Sequence, residues 1–216
     1  KKNFFLLGLL FGFGFYLSGI SWISNSLTFD ENFKILIPFA LTIIPLFLSL
    51  FLAFLILAIG PYLKLDFPSL LIFSAGLALS DYLRAIILTG FPWNLWAYST
   101  SWSTEVLQIV NSVGLYSYNL FVITLFSISI IFFFKIKTFK KAFIIFLTFF
   151  IIISVYIFGN YTINQNKKLL ENNNKKIYVK IVSPNFNLEY GLNEKEILDR
   201  FKKLIRYSEP DEKKKT

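Results

Sequence analysis

The chain has 216 residues, 55% hydrophobic, 19% aromatic and only 16% charged, whereas a soluble domain runs at about 45–50% apolar and about a quarter charged; a water-soluble globule is excluded. The net charge of +9 does not indicate nucleic acid, because the lysines gather at the ends of apolar runs and in the C-terminal tail, not beside stacking aromatics on one face. With no cysteine and no histidine, the chain offers no disulfide, thiolate metal site, thiol nucleophile or imidazole base.

Five apolar runs are long enough to cross a hydrocarbon layer of about 30 Å: residues 4–23, 35–60, 67–88, 106–134 and 142–158. The fold class predicted is an α-helical polytopic membrane domain. In the first run, Gly8 and Gly12 stand four apart, a spacing that lets two helices approach closely. Together with Gly14 and Gly19 they lack the strand-to-helix setting of a dinucleotide fingerprint. Pro38 and Pro45 in the second run would mark a broken helix if the protein were a transporter or channel, the alternative reading.

The third run carries Asp81 and Arg84 on one helical face. Charges inside a span are costly and are paired or functional. Either the two form a structural ion pair with Arg84 snorkelling outward, or Arg84 meets a lipid phosphate. Next comes Thr89-Gly90-Phe91-Pro92-Trp93-Asn94, followed by Trp96, Tyr98 and Trp102. Interfacial aromatics are ordinary, but Gly90 and Pro92 impose an irregular backbone, which is tolerated near membrane depth where it is buried or lines a cavity. Gln108, Asn111, Ser112 and Asn119 are expected to hydrogen-bond between helices.

The Lys135–Lys141 connection has four lysines and no acid, so it is expected on the cytoplasmic side. Counting outward from it sets the loop around Gly90 and everything after Gly159 on the opposite side. Residues 161–176 read as a polar linker, residues 177–182 as a short β-branched strand, and residues from Asn193 as a helix with Glu196 at the capping-box position. Strand and helix would open an α/β unit too small to bury a core alone. The start at Lys1 and the end at Thr216 read as a piece of a longer protein.

Several of these features resemble, in order, the bacterial apolipoprotein N-acyltransferase family. They are the glycine-spaced span from Gly14 to Trp22 and Ile23, the Asp81–Arg84 pair, the Gly90-Phe91-Pro92-Trp93 signature with Tyr98-Ser99 after it, Gly114-Leu115-Tyr116-Ser117, and the Val179–Asn185 stretch. Thr100 departs from the glutamine often found there. The resemblance implies a transmembrane domain over 1–160, the linker over 161–176, and the first strand and helix of a nitrilase-like domain over 177–216. It implies an acyltransferase that moves an acyl chain from a phospholipid, through a cysteine thioester, to the N-terminal amine of a diacylglyceryl-cysteine lipoprotein. The family's Glu-Lys-Cys triad has no counterpart in these residues. No catalytic residue, metal or cofactor is therefore assigned, and the chain alone is expected to be inactive. Arg84, Phe91, Pro92, Trp93 and Asn94 are the expected substrate-binding residues. The partners implied are the phospholipid donor, the lipoprotein acceptor and the membrane, with no nucleic acid. The location implied is the bacterial inner membrane, multi-pass, with a periplasmic C-terminal segment.

Overall fold

A computed structural model describes residues 1–87, 90, 92–171, 179–187 and 191–209. Five helical stretches are long and apolar enough to cross a membrane: Lys2–Thr28, Glu31–Tyr62, Phe67–Ile86, Leu115–Phe133 and Thr138–Glu171. This number agrees with the apolar runs of the sequence, and the protein is a multi-pass membrane protein.

Helix α1 (Lys2–Ile20) and helix α2 (Ile37–Ile59) form the closest pair. Gly8 and Gly12 are buried in their contact. A Cβ at Gly8 would stand 2.6 Å from the Leu52 carbonyl oxygen, and one at Gly12 would stand 2.9 Å from Ser49 Cβ. Here the bare glycine surface lets backbone meet backbone, so dispersion contacts replace the hydrophobic drive that lipid cannot supply. Helix α2 is continuous through Pro45, with Pro38 in its first turn, so the broken helix expected for a transporter is absent. A proline in the first turn removes no needed donor, and in the interior the neighbouring helix supports the backbone.

Helix α3 (Phe67–Ile86) starts at Asp66, whose carboxylate accepts from the Ser69 N–H at 2.9 Å. This N-cap satisfies one of the free donors of the first turn. Hydrogen bonds from Ser69 hold the Asp66 carboxyl below its ordinary range.

The fourth run departs from its expected form. One helix over 106–134 was predicted; the chain instead makes two short turns, α4 (Thr104–Leu107) and α5 (Val110–Val113), before helix α6 (Leu115–Ser127) and a 3₁₀ segment, Ile128–Phe133. The break is at Gly114, whose φ of 80° lies in the left-handed region that glycine adopts without cost. Asn111 and Ser112 therefore stay exposed outside the span, and Gln108 bonds back to the Thr104 carbonyl of its own turn. Only Asn119 of that quartet joins two helices. Tyr16, Ile20, Leu48, Leu52, Leu77 and Ile123 form the core where α1, α2, α3 and α6 meet.

Helix α7 (Thr138–Glu171) runs without interruption into the stretch expected as a linker. It meets the bundle near its start and again around Gly159, twelve residues before its end at Glu171. Ile144 and Ile145 pack on Ile131 and Phe134, and Gly159 lies so close to α4 that a Cβ there would overlap the Glu105 carbonyl.

No strand is present among the described residues. Residues 179–182 are extended chain outside any strand, with Val179 at 77% and Ile181 at 90% exposure; Ile177 and Tyr178 lie outside the described residues. A strand needs a neighbouring strand to satisfy its backbone groups, and the described residues supply none. Helix α8 (Glu194–Ser208) does form, with both halves of the Asn193–Glu196 capping box in place at 2.9 Å.

Candidate functional site

At the C-terminal end of α3 the chain turns back on itself. Gly90 has φ 80° and donates its N–H to the Ile87 carbonyl at 3.0 Å. A side chain there would collide with the Ala85 carbonyl, so the turn needs glycine for both conformation and space. Asn94 takes φ 62°, a conformation asparagine tolerates better than most residues. Its side-chain amide sits against the backbone of Gly19, where a Cβ would come within 2.6 Å of Asn94 Cγ.

Beneath this turn lies a buried polar network. The Arg84 guanidinium donates through Nη1 to the Trp93 carbonyl oxygen at 2.7 Å and through Nη2 to Asp81 Oδ1 at 3.0 Å. The other carboxylate oxygen of Asp81 accepts from Asn119 Nδ2 at 2.9 Å, and Asn119 Oδ1 accepts from the Ala97 N–H, also at 2.9 Å. The Tyr16 ring lies 5.2 Å under the Arg84 Cζ, a cation–π contact that gains strength when water is excluded. Asp81, Arg84, Asn119 and Tyr16 are all at most 2% exposed. In hydrocarbon, an unpaired arginine costs several kcal/mol, so each partner here offsets a desolvation penalty.

The aromatic residues bind the same loop to the first span, Lys2–Thr28. Trp93 stacks on Trp22 with ring centroids 5.0 Å apart and planes at 12°, and Trp96 stacks on Phe15 at 5.1 Å and 14°. Tyr98 donates its hydroxyl to the Pro92 carbonyl at 3.4 Å. Leu95 and Ala97 are buried against Tyr118 and Val122 of α6. Thr100 and Tyr118 share a hydroxyl–hydroxyl bond of 2.6 Å.

Of the expected site residues, the structure brings Arg84, Pro92, Trp93 and Asn94 into one assembly; Phe91 lies outside the described residues. Arg84 forms the ion pair with Asp81 but is buried, so the outward snorkelling expected with that pair is not found. Asn119, Tyr16, Gly19 and Trp22 were not named as site residues. Gly19 and Trp22 carried a signal, since they close the glycine-spaced first span. Asn119 was expected to hydrogen-bond between helices, as it does, but nothing local marked Asp81 as its partner or set Tyr16 under Arg84. The arrangement holds a loop in place and exposes Trp93 (44%) and Tyr98 (46%). It contains no nucleophile paired with a base.

The family model of the apolipoprotein N-acyltransferase N-terminal domain matches residues 1–128. The apolipoprotein N-acyltransferase of Brucella melitensis is 37% identical over 110 residues, which is 50% of this chain and 21% of that protein. The Rickettsia prowazekii apolipoprotein N-acyltransferase is 37% identical over 117 residues, 54% of this chain and 23% of that protein. The matched region thus spans about a fifth of the length of these relatives. No solved structure matches the chain. The chain belongs to the apolipoprotein N-acyltransferase family.

Proposed function

We propose that this chain provides the membrane-embedded part of an enzyme that transfers a phospholipid acyl chain, through a cysteine thioester, to the N-terminal amine of a diacylglyceryl-cysteine lipoprotein. In this reading residues 1–160 form the membrane domain of a bacterial inner-membrane protein, 161–176 lead out of it, and 177–216 begin a nitrilase-like domain on the periplasmic side. The observation that carries the reading is the network that fixes the signature loop: four buried side chains are committed to holding the backbone of Trp93 and Ala97. A loop so constrained at the edge of a bundle suits a rim that orients lipidated substrates.

The chemistry that such a rim supports is proximity. Two lipid-anchored reactants held in one orientation react as if at very high local concentration, and a thioester intermediate divides a difficult transfer into two easier ones. The 216 residues contain no cysteine, so the chain by itself is expected to form no thioester. Arg84, Phe91, Pro92, Trp93 and Asn94 are assigned here to shaping the substrate site, with Arg84 acting through the Trp93 carbonyl. The transporter alternative rested on a broken second span, and α2 is continuous.

A chimera tests the reading. Residues 1–128 replace the matching region of the Rickettsia prowazekii relative, and phospholipid-dependent acylation of a diacylglyceryl peptide is measured. Turnover by the chimera, with none by the 216-residue chain, is the expected result. A folded, membrane-inserted chimera without turnover, or turnover by the chain alone, would overturn it.

A further inference from the structure

We propose that the cleft between α6 and α7 is a binding site for one alkyl tail of a membrane phospholipid. The inference goes beyond the acyltransfer reading and does not depend on it. Helix α7 is fastened at two levels, by Gly159 against α4 and by Ile144 and Ile145 against Ile131 and Phe134, with Lys141 Nζ donating to the Phe132 carbonyl at 2.9 Å. Between these contacts α6, α7 and the segment 99–106 line a cavity of about 350 Å³, within the range of small-molecule sites. Its walls are Phe121, Val122, Leu125, Ile152 and Val155, with Trp102 at the rim.

The polar groups of the lining decide the occupant. Ser99 donates to the Trp96 carbonyl, Thr100 to the Ala97 carbonyl, Ser103 to Glu105, and Tyr118 shares its bond with Thr100. Every hydroxyl of the cavity thus has a partner inside the protein, and the indole N–H of Trp102 belongs to a residue 83% exposed at the rim, so the inner walls ask the occupant for no hydrogen bond. No Lys or Arg occurs between residues 85 and 134, so no side chain of the lining neutralises a phosphate. A headgroup or peptide would enter unpaired, at the cost of burying a polar group. An alkyl chain meets no such penalty and fills a void that otherwise lacks dispersion contacts. The wall from Tyr118 to Leu125 rises roughly 10 Å at about 1.5 Å per residue, room for about half of a long acyl chain. The cleft lies between two spans, where bilayer phospholipid is the abundant source of such tails.

The test uses the 216-residue chain in nanodiscs of phosphatidylglycerol and phosphatidylcholine doped with a phospholipid carrying a mid-chain diazirine. After illumination, crosslinks are mapped by mass spectrometry. They are expected to be enriched on Val122, Leu125, Ile152 and Val155 above the level that bulk lipid contact gives at Phe146 and Ile157, which are exposed on α7. Val122→Trp should cut labelling of Ile152 and Val155 by about tenfold, the scale set by overpacking a filled site, with labelling of Ile157 unchanged. Val155→Phe, at a half-buried position, serves if the first variant does not insert. Even labelling around α7, or cavity labelling untouched by the inserted variant, would reduce the cleft to ordinary lipid contact and overturn the proposal. Displacement of the probe by an equal mole fraction of diacylglyceryl peptide would overturn the assignment to phospholipid.

Discussion

The guanidinium of Arg84 bonds the backbone carbonyl of Trp93 at 2.7 Å, nine residues further along the chain. A charge on α3 thereby holds backbone that lies outside any helix. Asp81 keeps that charge neutralised, so the three residues act as a unit. Arg84→Leu is expected to destabilise the protein by about 3–5 kcal/mol, because it leaves the Asp81 carboxylate buried and unpaired. The double change Asp81→Leu with Arg84→Leu should cost less than the sum of the singles, with a coupling of about 1–3 kcal/mol. Denaturant unfolding in detergent micelles measures both, and additive losses would show that the pair does not act as a unit.

Asn119 spans two gaps at once, from Asp81 to the Ala97 N–H. Asn119→Leu leaves a buried carboxylate oxygen and a buried N–H without their partner, each costing about 1–3 kcal/mol. Asn119→Asp should be worse still, since it sets a second carboxylate against Asp81. Thermal melts followed by tryptophan fluorescence check the order, because Trp93 and Trp96 sit on the loop that would loosen.

Trp93 and Trp102 separate anchoring from loop geometry. Trp93 is stacked on Trp22, while Trp102 is 83% exposed. Trp93→Ala is expected to lower acylation by the chimera severalfold and to lower its melting temperature. Trp102→Tyr should leave both unchanged, since either ring anchors an interface. Equal losses from Trp93→Ala and Trp102→Ala would reduce the loop to an aromatic belt.

Five spans put the two ends of the chain on opposite sides. A reporter at Lys140 is expected to read cytoplasmic and one at Asn187 periplasmic, with paired alkaline phosphatase and green fluorescent protein fusions as the assay. The same side for both would require an even number of spans between them.

The cap at Asp66 gives a pH dependence of known sign. Its carboxyl is held down by Ser69, so its folded value lies below its unfolded one. The stabilisation is present above the unfolded value and fades as pH falls through the folded one. Unfolding midpoints compared between pH 7 and pH 3 should fall more for the wild type than for Asp66→Asn, which caps without titrating.

Much of this protein was legible along the chain because lipid makes composition decisive. A backbone crossing hydrocarbon must satisfy its own polar groups, so long apolar runs such as residues 142–158 could only be helices. The glycine pair Gly8 and Gly12 announced a close helix contact, because four residues return to the same face. Asn193 and Glu196 marked a helix start, because a capping box is a local bond. Tertiary structure decided the rest. Gly114 broke the fourth span where hydropathy alone shows an unbroken run, since a backbone angle leaves no trace in apolarity. Helix α7 passed through residues whose polar composition suggested a linker. Residues 179–182 had strand-like composition but no neighbouring strand, and a ladder needs two. Arg84 had two possible destinations from its position on α3. The choice was made by Asp81, Asn119 and the Trp93 carbonyl arriving around it from α3, α6 and the loop, because a buried charge goes where its partners converge.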